Sequence, residues 1–126
     1  MTVFLVRLQR GELLPQPFNQ LLLDLLERVK TGPQRLKGRL PPDTVVAHKT
    51  GTTAVVINDV GIITLPDNGG HLALTVFIMN GAGASAAQRA IAQMAAAAYE
   101  AFTGKPILPP PGKAKPARRI AKDAGP

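Results

Sequence analysis

The sequence predicts an α+β fold: three antiparallel strands with flanking helices, followed by a disordered tail. Three observations carry this. Strand-like runs at 44–52, 55–65 and 72–79 follow one another through connections too short for a crossover helix, which leaves antiparallel pairing. Asp67-Asn68-Gly69-Gly70, between the second and third runs, is hairpin chemistry. Apolar residues recur at helical spacing on both sides of the block, at Phe18, Leu22, Leu25, Leu26 and Val29 and again at Ile91, Met94, Ala95, Ala98 and Phe102.

Taken in order, residues 3–14 read as the end of a helix. Pro15 and Pro17 punctuate, and Pro17 suits the first turn of a helix running from Phe18 to Lys30, where its missing N–H is not needed. Gly32-Pro33 stops that helix. Leu21 and Leu23 widen its apolar stripe, so it expects neighbours on more than one side, with the leucines as core. The run Leu72-Ala73-Leu74-Thr75-Val76-Phe77-Ile78-Met79 is apolar almost without alternation, which predicts a strand buried on both faces and the most buried of the three. Asn80-Gly81-Ala82-Gly83-Ala84 breaks the chain. Ser85-Ala86-Ala87-Gln88 then fits a capping box, with Ser85 as the cap of a helix running through about Phe102. The alanines of that helix favour helix formation and close approach to a sheet. Thr103-Gly104-Lys105-Pro106 ends it, so one domain is expected over 1–104. The segment 105–126 is basic and proline-rich, cannot bury a core, and is expected to be disordered.

With 126 residues and 45% apolar content the chain is one domain at most, with a core. The absence of cysteine excludes a disulfide framework and a thiolate metal site. The formal charge of +7 sits mostly in the tail, which holds six basic residues and one acidic residue. No run approaches transmembrane length, and Val3-Phe4-Leu5-Val6 is too short for the apolar part of a signal peptide. As written, the product is expected to be cytoplasmic, with no membrane partner. His48 and His71 lie far apart without local ligand spacing, so structural or solvated roles are expected, with no metal and no cofactor. Lys113, Lys115, Arg118, Arg119 and Lys122 raise a nucleic-acid-binding alternative through counterion release. No aromatic residue interleaves those charges, so no stacking platform supports it.

The most informative stretch is Val45-Val46-Ala47-His48-Lys49-Thr50-Gly51-Thr52. A strand ends there in a compact cation with three donors, a hydroxyl, and a glycine that lets a ligand approach the backbone, which suits an anion. Lys-Thr-Gly is one signature triplet of the serine β-lactamases and penicillin-binding proteins. Its neighbours extend the match: Thr31-Gly32-Pro33-Gln34-Arg35-Leu36-Lys37-Gly38, Leu40-Pro41, and Asn58-Asp59-Val60-Gly61-Ile62-Ile63-Thr64-Leu65-Pro66. From about Phe4 to Phe102 the chain resembles the C-terminal third of a class A β-lactamase, in the subgroup that reads His-Lys-Thr-Gly-Thr.

The resemblance implies the C-terminal part of the serine β-lactamase/D,D-peptidase fold. It implies that Lys49 steadies a substrate carboxylate, that Thr50 donates its hydroxyl to it, that Gly51 lets it approach, and that the Thr52 backbone N–H is one of two oxyanion donors. Arg35 matches the arginine that assists Lys-Thr-Gly in this subgroup, a task that other members give to a strand position occupied here by Ile57. The connection Thr53-Ala54-Val55-Val56-Ile57 departs from the family, where glycine and polar residues make the turn. Asp59 falls inside the second strand, where a buried aspartate needs a partner, and reads as structural.

The family's Ser-x-x-Lys nucleophile, Ser-Asp-Asn wall and deacylating glutamate have no counterpart in this sequence. Ser85 is its only serine, and Pro66-Asp67-Asn68 is a turn. The expectation is a truncated, class A β-lactamase-related chain that does not hydrolyse alone and holds a β-lactam or peptidoglycan-like carboxylate weakly. A missing N-terminal portion of the same fold is a further expected partner. A D,D-peptidase remnant is the alternative within the superfamily. A full-length member would be periplasmic or secreted.

Overall fold

The computed structural model describes residues 1–79 and 82–107. Asn80 and Gly81 of the expected breaker and most of the expected tail, with Lys113, Lys115, Arg118, Arg119 and Lys122, lie outside the described residues. Helix α1 (Thr2–Gln9) and helix α2 (Phe18–Glu27) come first, then a short 3-10 helix at Leu36–Arg39. Strands β1 (Val46–Thr52), β2 (Val56–Thr64) and β3 (His71–Met79) follow, and helix α3 (Ala84–Thr103) closes the order. Among the described residues no helix is long and apolar enough to cross a membrane.

The strands form an antiparallel meander in the order β1-β2-β3, as the short connections predict. At the β2–β3 turn Asp67 and Asn68 both take positive φ, 55° and 57°, the geometry that matches the twist of the flanking strands. The β1–β2 turn is held differently: the Thr53 N–H donates to the Val56 carbonyl, while its hydroxyl accepts the N–H groups of Val55 and Val56.

Period-two alternation divides the sheet between two cores. On one face α3 and the 3-10 helix pack Leu36, Ile91 and Ala95 against Val46, Ile57, Ile63 and Val76. On the other, Leu5 and Leu8 of α1 and Leu23 of α2 pack against Ala47 and Ile62. Leu8, Leu36, Ile63 and Ile91 are fully buried, each stabilising the fold by about 1.5–3 kcal/mol relative to exposure.

Five sequence expectations need correction. Leu21 and Leu25 of α2, expected as core, are 49% and 52% exposed, and only Leu23 of that helix's leucines is fully in the core. The run 72–79 is not the most buried strand: β2 is central, and β3 lies at the sheet edge. Leu72, Leu74, Val76 and Ile78 do pack on the α3 side. The opposite face is covered by α1 only as far as Thr75, where the Thr2 and Thr75 hydroxyls meet at 3.0 Å. Beyond that point Phe77 is 62% and Met79 81% exposed. Both faces of the strand are apolar, but one is only partly covered.

Ser85 is not a cap, because α3 begins a residue earlier with Gly83 in the N-cap position and no side-chain capping bond. The first helix does not extend to residue 14. It closes after Gln9, where the Gly11 and Glu12 N–H groups turn back onto the Leu8 and Arg7 carbonyls. Finally, α2 ends at Glu27, short of Gly32-Pro33, and the released segment carries Thr31 across to β1.

Candidate functional site

Lys49, Thr50, Gly51 and Thr52 form the last four residues of β1, in register with Val60, Asp59, Asn58 and Ile57 of β2. Alternation sends their side chains to two sides. Val46 belongs to the α3-side core and Ala47 to the α1/α2-side core. Thr50 and Thr52 therefore project on the α3 side, and Lys49 on the α1/α2 side.

Arg35 joins the first group. Although it lies in a loop, it is only 6% exposed. Its Nη1 donates to the Gly51 carbonyl at 3.1 Å and the Asn58 carbonyl at 2.7 Å, and its Nη2 donates to Thr52 Oγ1 at 2.7 Å. The Nε–H is buried without a partner. A guanidinium has five donors in a fixed fork, so the contacts to β1 and β2 leave Nε–H and one Nη2–H over. Ile57, at the strand position of the alternative arginine, is buried in the α3-side core. An arginine there would have to displace core packing, and the cation arrives instead from the 3-10 loop.

Two residues hold that loop close. Thr31 Oγ1 lies 2.7 Å from Thr50 Oγ1. Gly32, at φ +60°, packs so tightly that a Cβ there would sit 2.6 Å from Thr50 Cγ2 and 3.0 Å from Arg35 Cδ. Lys49, exposed, folds its ammonium onto the Thr50 carbonyl at 2.8 Å.

Behind the site lies a buried polar pair. His48 Nδ1 is 3.0 Å from both carboxylate oxygens of Asp59, and Asp59 Oδ2 also accepts the Leu36 N–H at 3.2 Å. One carboxylate thus ties β1 to β2 and both to the residue after Arg35. His48 Nε2 is buried without a partner. Gly61, opposite His48 in register, leaves the room: a Cβ there would lie 2.7 Å from the Ala47 carbonyl oxygen and 2.8 Å from His48 Cβ.

The structure therefore brings Arg35 to Thr50, Gly51 and Thr52, and places Lys49 at the same strand end on the opposite side. Sequence reasoning missed Thr31 and the His48–Asp59 pairing. The second had a signal, because with His48 opposite Gly61, Asp59 is its diagonal neighbour on the same face. Chemically, the cluster offers two cations, threonine hydroxyls and strand-end backbone, a donor set for an anion. Ser85, in the first turn of α3, is exposed.

A family model described as the β-lactamase enzyme family matches residues 1–102. The extended-spectrum β-lactamase PER-1 of Pseudomonas aeruginosa is 47% identical over 87 residues, covering 64% of this chain and 28% of that protein. β-Lactamase VEB-1 of the same organism is 41% identical over 75 residues, covering 55% and 25%. The chain thus spans under a third of either relative. Among solved structures, a β-lactamase from Chitinophaga pinensis superposes with a TM-score of 0.75 at 36% identity, covering 79% of this chain and 39% of that one. A class A β-lactamase representative from Bacteroides cellulosilyticus gives 0.77 at 26% identity, covering 82% and 40%.

Proposed function

We propose, from the premise that the chain belongs to the β-lactamase enzyme family, that it supplies the carboxylate-holding wall of a β-lactam site and does not turn substrate over by itself. The observation that carries this is the buried Arg35 guanidinium, anchored to Gly51, Asn58 and Thr52 so that its charge and one remaining Nη2–H stay beside the Lys-Thr-Gly strand end. Thr50 adds a hydroxyl, and Lys49 a positive potential. Acyl transfer needs more: an activated nucleophile, its base and two oxyanion donors acting together, and losing one donor alone costs about 10²–10³ in rate. The only serine of this sequence stands in the first turn of α3, and Gln88 occupies the position three residues on.

Two measurements on the purified chain test this. Titration with benzylpenicillin, followed by amide NMR, should shift the Lys49-to-Thr52 signals weakly, in the millimolar range expected of charge contacts open to water, and Lys49→Ala should remove the shift. Nitrocefin hydrolysis should not exceed solvent background. Turnover that disappears in Ser85→Ala would refute the reading, as would a benzylpenicillin response unchanged by Lys49→Ala.

A further inference from the structure

We infer that Thr31 is a positioning residue of the carboxylate-holding wall: its hydroxyl donates to Thr50 Oγ1 and so commits the Thr50 proton to a bound carboxylate. The inference rests on the family reading above and adds to it a residue and a preference for a ligand group that only accepts.

A threonine hydroxyl has one proton and two lone pairs. Thr31 Oγ1 and Thr50 Oγ1 lie 2.7 Å apart, the separation of an O–H···O hydrogen bond. One of the pair's two protons is therefore held between the oxygens, and one is left. A carboxylate cannot donate, so it takes the remaining proton, and the hydroxyl it touches must then accept from the other. That hydroxyl is Thr50, because strand alternation places Thr50 and Thr52 on the side where the Arg35 guanidinium lies. Thr31 thus becomes the donor within the pair. A hydroxyl that already accepts one hydrogen bond donates a stronger one.

Thr50 is also held in the rotamer this requires. A β-branched side chain chooses among three staggered χ1 wells. Its methyl is seated on Gly32, whose own Cβ would lie 2.6 Å from Thr50 Cγ2, and its hydroxyl is held by Thr31. Both heavy-atom branches of Thr50 are therefore fixed by consecutive residues of one loop. Gly32, at φ +60°, is the residue that lets this loop come so close.

Thr52 is handled in the same way by a different donor. Arg35 has no acceptor, so in the 2.7 Å contact Nη2 donates, Thr52 Oγ1 accepts, and the Thr52 proton is left for a ligand. Two hydroxyls on one face are each supplied with a donor by the segment that carries Thr31 and Arg35, and both are free to donate outward. Such a face favours a carboxylate over its methyl ester, which lacks the charge that strengthens both hydrogen bonds.

The test titrates benzylpenicillin and, separately, benzylpenicillin methyl ester into the isotope-labelled chain, with the Thr50 χ1 angle read from three-bond couplings to Cγ2. In the wild-type chain a single Thr50 rotamer is expected, and the acid should bind more tightly than the ester. Thr31→Val keeps the side-chain shape at an exposed position and removes the hydroxyl. It should average the Thr50 couplings and weaken benzylpenicillin about five- to tenfold, the loss of one hydrogen bond, with the ester response and the thermal midpoint unchanged. Thr31→Ser should restore both the couplings and the affinity. In a Thr50→Val background Thr31→Val should have no further effect on affinity. Couplings and affinity indifferent to Thr31→Val, or an acid and ester that bind alike, overturn the inference; an intact benzylpenicillin response that still depends on Lys49 then leaves the carboxylate-wall reading standing. Thr50 couplings that average in Thr31→Val, in a chain that gives no benzylpenicillin response, support the hold on Thr50 and refute the carboxylate-wall reading.

Discussion

Replacing Asp59 by alanine probes how the Arg35 loop is held to the sheet. Asp59 is 0% exposed and receives both His48 Nδ1 and the Leu36 N–H. Its removal leaves two buried donors without an acceptor, at about 1–3 kcal/mol each. Partial relaxation and water entry bring the expected loss to about 3 kcal/mol, within the range for breaking a buried polar pair. In a domain of this size that corresponds to a thermal midpoint lowered by roughly 10–20 °C. Equilibrium urea unfolding of wild type, Asp59→Ala, Asp59→Asn and the double variant with His48→Ala measures it. Asp59→Asn keeps an acceptor and should cost about 1 kcal/mol. The Asp59→Ala and His48→Ala losses should couple by about 1–2 kcal/mol, as contacting residues do. An Asp59→Ala loss below about 0.5 kcal/mol, or strict additivity with His48→Ala, would refute the reasoning. Native-state exchange supplies a local readout, since the Leu36 amide should lose protection in Asp59→Ala.

Three further outcomes follow from the same geometry. Gly32→Ala places a Cβ 2.6 Å from Thr50 Cγ2 at a φ of +60°; it should cost about 1–3 kcal/mol in urea unfolding and displace the Thr50 amide resonance. Gly61→Ala meets the Ala47 carbonyl and His48 at under 3 Å, and about 1–3 kcal/mol of destabilisation is expected from the same measurement. Arg35→Lys can replace at most part of the three-acceptor contact to Gly51, Asn58 and Thr52; an unchanged thermal midpoint would contradict the expected loss of about 2 kcal/mol.

What the sequence by itself determined was whatever short-range chemistry dictates. The meander, the Asp67-to-Gly70 turn and the existence of α2 and α3 were legible because periodicity and turn residues act over a few positions. That Lys49 to Thr52 end a strand was equally legible, because those residues are contiguous. Only tertiary structure decided how far each element is covered. Residues 72–79 have two apolar faces in sequence, but burial depends on what lies alongside, and an edge strand beneath a short α1 leaves Phe77 and Met79 in solvent. Ser85 does not cap, because α3 extends back to Ala84 and Gly83 takes the N-cap position without a side-chain bond. The joining of Arg35 to His48 and Asp59 through the backbone of Leu36 follows from strand register and the path of a distant loop. Those are long-range quantities, fixed when packing brings residues far apart in the chain into contact.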